Sequence, residues 1–113
     1  MDAGRARELL EQERRRIERE LGALSPADNS ELSHVDQHLA DQGAELYQDE
    51  SDQGRRLVLR RELDAVERAE KRIDAGTYGL SVVSGEPIPD ERLEAYPTAE
   101  RTVEEQRRFE RGA

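Results

Sequence analysis

A seven-residue apolar repeat in otherwise charged sequence constrains this chain most. Ala3, Leu10, Ile17 and Leu24 recur at that interval in a stretch free of proline, with Ala6 and Leu21 adjoining the stripe. Such spacing lines side chains along one narrow seam of an α-helix, so the pattern predicts a helix over residues 2–24. Six acids and six arginines share the remaining faces, a balance that favours side-chain pairs along a solvated helix. Ser25-Pro26 ends it, because the residue before a proline is pushed out of the α region. A second stripe, Leu59, Leu63, Val66 and Ile73, carries Glu70 at one expected apolar position. It predicts a second helix from near Leu39 to about Ala75, weakly interrupted by Gly43 and Gly54.

Composition limits what else can be built. The aromatic residues are Phe109, Tyr47, Tyr78 and Tyr96, and 40% of the chain is charged, which is lean for a large compact core and typical of long solvated helices. The expected fold class is mainly α: a long antiparallel coiled-coil hairpin over residues 1–75, then a small module with a C-terminal helix over 76–113. No apolar run is long enough to span a bilayer and no signal-peptide pattern opens the chain, so the expected location is cytoplasmic. The absence of cysteine excludes disulfides and thiolate metal sites.

Charge is segregated. Residues 27–54 hold eight acids and no Lys or Arg, while the rest of the chain holds 19 acids against 18 basic residues. Nearly all of the net charge of −9 therefore lies in one central segment. An acidic balance argues against direct DNA binding, since phosphate neutralisation needs clustered Lys and Arg. At ~1.5 Å per residue the second helix would run about 55 Å and the first about 34 Å. An antiparallel pair would leave roughly 20 Å of the longer helix unpartnered, which residues 25–38 can cover at ~3.3 Å per residue. Stepping the second seam back gives Arg56, Asp52, Asp49 and Glu45, so it turns acidic toward the bend. The acidic stretch is thus expected at the far end of a projection. A polar seam there suits contact with another molecule better than self-stability.

After Ala75 the character changes. Gly76 is a good residue for stopping the second helix. Leu80-Ser81-Val82-Val83 reads as a short strand, and Pro87 and Pro89 exclude helix around Ile88. Asp90 is expected to cap a short turn of helix up to Tyr96, and Thr98 a final helix to about Arg111, with Val103 and Phe109 buried. A module of this size cannot bury much by itself.

Here the residues carry a resemblance. Tyr78-Gly79-Leu80-Ser81-Val82-Val83-Ser84-Gly85-Glu86-Pro87-Ile88, followed by Arg92-Leu93-Glu94-Ala95-Tyr96-Pro97, resembles the zinc-finger segment of the DksA/TraR family, roughly YGxCxxCGxxIxxxRLxAxPxxxxCxxC. Upstream, Asp36-Gln37-His38-Leu39-Ala40-Asp41 with Glu45-Leu46-Tyr47 resembles the tip segment of that family. The resemblance implies a regulator that binds RNA polymerase in its secondary channel. Its acidic hairpin tip would act near the active site to modulate initiation without contacting DNA. It places the tip at Asp36, His38, Leu39, Ala40, Asp41 and Glu45. Ala40 and Asp41 match the family's apolar–Asp pair, and His38 stands where many members carry another acid. Some members answer the stringent-response alarmone ppGpp through basic positions on the second helix. Two of these fall on Val58 and Ala65, uncharged here, although Arg55, Arg56, Arg60 and Arg61 lie nearby.

The sequence departs from the family at the metal. The four cysteine positions fall on Ser81, Ser84, Thr102 and Glu105, which lack the sulfur and nitrogen donors of structural zinc. A hard-ion oxygen site needs more carboxylates than one. No metal is expected. Ser81, Ser84 and Thr102 are expected to keep the family geometry as hydrogen-bonded turn residues. Apolar packing of Tyr78, Val82, Ile88, Leu93, Tyr96, Val103 and Phe109, docked at the Ile73 end of the hairpin, should replace the zinc.

Two other classes bear weighing. The seams also suit a self-associating coiled-coil adaptor, which a stable dimer or tetramer in sedimentation would favour over a monomeric regulator. An enzyme fits least: there is no cysteine nucleophile, phosphate-binding glycine loop or ligand cluster. His34 and His38 read as exposed loop residues rather than bases.

Overall fold

The computed structural model describes residues 1–24 and 44–112, with backbone alone described for 44–51. Four helices follow in order: α1 (Ala3–Gly22), α2 (Ala44–Ala75), α3 (Asp90–Ala95) and α4 (Val103–Glu110). Among the described residues the only β pairing is an isolated antiparallel bridge between Leu80 and Pro87. No helix among them is long and apolar enough to cross a membrane. The fold is mainly α, as the composition and the two apolar stripes require.

The chain divides into two compact units, Met1–Arg14 with Asp64–Ala113, and Arg15–Leu63. In the first, α1 buries Ala6, Leu9 and Leu10 while α2 buries Val66, Ala69 and Ile73. Arg7 reaches Asp74 at 2.8 Å and Arg14 reaches Glu70 at 2.7 Å, so these segments run antiparallel. In the second unit Ile17 and Leu59 are fully buried. There Arg16 lies 3.4 Å from Glu62 and Arg55 pairs with Glu20, again antiparallel.

The buried stripes differ in detail from the strict sevenfold reading. Ala3 is exposed, Leu21, Leu24 and Leu63 are half-buried, and Leu9 joins the core. A straight helix has 3.6 residues per turn, so its buried face alternates steps of three and four and drifts from a repeat of seven. On α2 the seam passes through Ala69, and Glu70 sits at its edge bonded to Arg14. Arg56, on the stepped-back register, is itself buried.

The end of α2 follows the sequence expectation. Gly76 takes a left-handed φ of 77°. The Gly76 N–H then donates to Ile73 O at 3.1 Å and the Thr77 N–H to Arg72 O at 2.9 Å. These two bonds form a Schellman motif, which satisfies carbonyls the helix end would otherwise leave open.

The C-terminal module corrects several expectations. No strand forms at 80–83. Gly79 and Gly85 both have positive φ, and the Ser81 hydroxyl takes the Val83 and Ser84 N–H groups that a neighbouring strand would need. Pro89, not Asp90, is the N-cap of α3, and its carbonyl accepts from Arg92 and Leu93 N–H. Thr102, not Thr98, caps α4, because only Thr102 has a glutamate three residues on to complete a capping box. The expected apolar cluster is also largely absent. Ile88 and Leu93 are buried and Tyr78 is half-buried, but Val82, Val103, Phe109 and Tyr96 are exposed, from 43% at Val103 to 63% at Tyr96. So small a segment has too much surface for its volume to bury seven large side chains.

Candidate functional site

Ser81, Ser84, Thr102 and Glu105 meet in one hydrogen-bonded cluster. Gly79 and Gly85 let the chain double back, so that Ser81 N–H donates to Glu86 O at 2.8 Å and Gly85 N–H to Ser81 O at 2.9 Å. Within this turn Ser81 Oγ accepts the N–H groups of Val83 at 3.0 Å and Ser84 at 3.2 Å. Its own hydrogen goes to Glu105 Oε1 at 2.6 Å. A hydroxyl has one donor and two acceptor sites, and all three are used.

The opposite wall is the first turn of α4. Thr102 N–H donates to Glu105 Oε1 at 2.9 Å, and Glu105 N–H donates to Thr102 Oγ1 at 3.3 Å. The Glu105 carboxylate, at the third position of α4, thus caps the helix and bonds the turn 24 residues upstream. Ser81 and Glu105 are both buried. The Ser81 hydroxyl bond, then that of the Ser84 side chain and the Thr102 N–H, hold this carboxyl down to about 2 against the opposing effect of burial.

Around the cluster, single polar bonds tie the module to the helices of the same unit. Val82 N–H donates to Glu100 O at 2.9 Å. The Glu100 carboxylate accepts from Arg68 Nε at 3.1 Å and Arg72 Nη1 at 2.8 Å on α2. Burial raises the Glu100 carboxyl, but the two guanidiniums outweigh it and the net shift is downward. Arg5 on α1 holds Glu94 through Nε at 3.0 Å and Nη2 at 2.8 Å. Tyr78 Oη donates to Pro97 O at 2.8 Å, and Arg92 Nε donates to Arg101 O at 2.9 Å. The Arg101 guanidinium lies 4.0 Å from the Phe109 ring centroid, a cation–π contact at the module surface.

The other sequence-predicted residues are placed as follows. Asp36, His38, Leu39, Ala40 and Asp41 lie outside the described residues, and Glu45 falls in the first turn of α2, where the backbone alone is described. Val58 is exposed on α2 and Ala65 is half-buried. The structure joins Ser81, Thr102 and Glu105 as the sequence order suggests, but gives Glu105 the central role. In the sequence Glu105 reads as a lone carboxylate, and nothing singles out Glu100. The signal for the first was present: Thr102-Val103-Glu104-Glu105 is a capping-box sequence. Glu100 leaves no local signal, since its partners on α2 lie 28 and 32 residues away.

Comparison with known proteins agrees with this geometry. Residues 76–111 match the family described as the prokaryotic dksA/traR C4-type zinc finger. The chain is 47% identical to the uncharacterized protein YteA of Bacillus subtilis over 81 residues, 71% of this chain and 34% of that protein. It is 44% identical to the RNA polymerase-binding transcription factor DksA of Caulobacter vibrioides over 52 residues, 46% of this chain and 37% of that one. The structure of transcription factor DksA2 from Pseudomonas aeruginosa is similar over 96% of this chain and 83% of that chain, with a TM-score of 0.66 and 28% identity. Residues 76–111 thus form a DksA/TraR-family zinc-finger domain, in a chain with DksA proteins among its relatives and structural neighbours. The matches span only about a third of the length of these two curated relatives.

The zinc implied by that family does not suit the donors present. Three hydroxyls and one carboxylate offer neither thiolate nor imidazole, the donors of structural zinc sites. Two oxygens held tetrahedrally by one zinc at ~2.0–2.2 Å lie about 3.3–3.6 Å apart. Ser81 Oγ and Glu105 Oε1 are 2.6 Å apart, directly hydrogen-bonded to each other.

Proposed function

We propose that this chain regulates transcription by binding RNA polymerase in its secondary channel. In this reading the acidic segment 27–54 acts near the active site to modulate initiation, with no direct contact to DNA. The observation that carries the reading is the 44% identity to an RNA polymerase-binding transcription factor. Charge segregation supports it: eight acids without a single Lys or Arg occupy residues 27–54, the last four of them within the N-terminal part of α2. Such a segment acts strongly on metal ions and basic groups of a nucleotide-handling centre, because fields are less screened in a water-poor channel.

Asp41 is the principal effector in this proposal, with Asp36, His38, Leu39, Ala40 and Glu45 as the other tip residues. The protein acts as a cytoplasmic monomer and not as an enzyme. Because Val58 and Ala65 are uncharged, ppGpp synergy through those two positions is not expected. The test begins with the full chain and core RNA polymerase in a pull-down competed by another secondary-channel factor. Failure to bind, or binding indifferent to the competitor, sinks the channel reading. Asp41→Asn should then retain binding but lose the effect on transcription in vitro. An Asn variant of full activity removes Asp41 from the role. Sedimentation of the free chain separates a monomeric regulator from a self-associating adaptor.

A further inference from the structure

We propose that the Ser81–Glu105 cluster is the closing device of the C-terminal module, a hydrogen-bonded stand-in for a tetrahedral metal, so that one carboxylate holds the module shut and neither metal depletion nor thiol oxidants open it.

The geometry carries this in three steps. First, the cluster closes the same loop a metal would close. It joins the Ser81–Ser84 turn to the Thr102–Glu105 turn across 24 residues, with Glu105 Oε1 as the shared acceptor of one bond from each side. Second, the cluster is chemically complete. Ser81 uses its donor and both acceptor sites, and Thr102 and Glu105 satisfy each other's backbone N–H groups. A buried polar knot with every member paired is stabilising, whereas one with a missing partner costs more than an apolar replacement. Third, apolar packing contributes little to closing the module. Its apolar residues are mostly exposed, and only Ile88 and Leu93 among its large apolar side chains are buried. The charged Glu105 is also the right group for its place. A carboxylate in the first turn of a helix is favoured by the helix dipole, and bonds to a charged acceptor are stronger than neutral ones.

The consequence concerns regulation. A module closed by thiolates and zinc opens when either is lost. This one contains no cysteine, so its fold is set by the chain alone.

The experiment uses the full chain and follows amide exchange at Val83, Ser84 and Thr102, with amides near Ile17 and Leu59 as internal reference. Addition of a chelator or peroxide should leave all of these unchanged, and native mass spectrometry with added zinc should show no stoichiometric ion. Glu105→Gln and Ser81→Ala should each raise exchange at Val83, Ser84 and Thr102 at least tenfold while sparing the reference amides. A variant with cysteine at all of positions 81, 84, 102 and 105 should bind one zinc per chain and become chelator-sensitive. The inference is overturned if the native chain binds zinc stoichiometrically or loses protection in chelator. It is equally overturned if both single variants exchange like the parent, or if the four-cysteine variant takes up no zinc.

Discussion

Along α1 and α2 the groups that hold the chain together recur at steps of three and four residues. In the C-terminal module they stand at 81, 100, 102 and 105 with no period. The helical seam is apolar and tolerant: Leu10, Ile17, Leu59 and Val66 are fully buried, and charged residues such as Glu70 slip to the edge beside an arginine. The module is polar and specific. Its centre is a hydroxyl bonded to a carboxylate, each with defined directions. Burial of apolar area is non-directional, so many sequences make a seam. A paired polar cluster needs particular atoms at particular places.

That contrast can be broken most directly in the seam. Leu10→Ala removes a fully buried side chain and should lower stability to unfolding by about 2–5 kcal/mol in urea titration. Leu93→Ala should cost a similar amount, ~2–5 kcal/mol, because Leu93 is one of few buried apolar residues in the module. If Leu93→Ala proved nearly neutral, the module would rest on polar bonds alone and the contrast would sharpen further.

Acid should act on the polar region next. Glu105 titrates at about 2 when folded, down from 4.5, and Glu100 is shifted in the same direction. A carboxyl depressed by folding stabilises fully above its unfolded value, and that contribution is lost as pH falls through the folded one. Stability should therefore decline from about pH 4.5 toward pH 2, and the decline should be shallower in Glu105→Gln. Equal slopes for parent and variant would show that the cluster does not respond to the proton.

A smaller loss is expected at the cap. Thr102→Ala keeps the Glu105–Ser81 bond but removes the hydroxyl acceptor for Glu105 N–H, and thermal melts should report a loss of ~0.5–2 kcal/mol. Smallest of all is Glu94→Gln. Its partner Arg5 is exposed, and exposed ion pairs contribute little. The melting temperature should stay within error, and a clear drop would mean that Arg5 and Glu94 do more than decorate the surface.

Both helices were legible because their signal is periodic. Leu10, Ile17, Leu59 and Val66 stand out as stripes along the chain, and Gly76 marks the end of α2 through its left-handed backbone. The module's ordered residues, from Tyr78-Gly79 to Arg92-Leu93, were enough to place the family. Its interior was not legible. Val82, Val103 and Phe109 look like core residues in a one-dimensional pattern, yet they lie exposed because nothing covers them in so thin a module. Thr98 and Thr102 are equally good cap residues by type, and the choice turned on Glu105, which stands three residues after Thr102 and completes the capping box.

By itself, then, the sequence determined the mainly helical architecture, the placement of negative charge in residues 27–54, and the loss of every thiolate from the four family positions. Each is a property of residue identity or spacing along the chain. Only the tertiary structure decided what took the metal's place. Ser81 and Glu105 are 24 residues apart, and neither residue's type announces the other. Folding of the turn at Gly79 and Gly85, and the start of α4 at Val103, bring a hydroxyl and a carboxylate within 2.6 Å. A hydrogen bond depends on distance and direction in space, which no local pattern encodes.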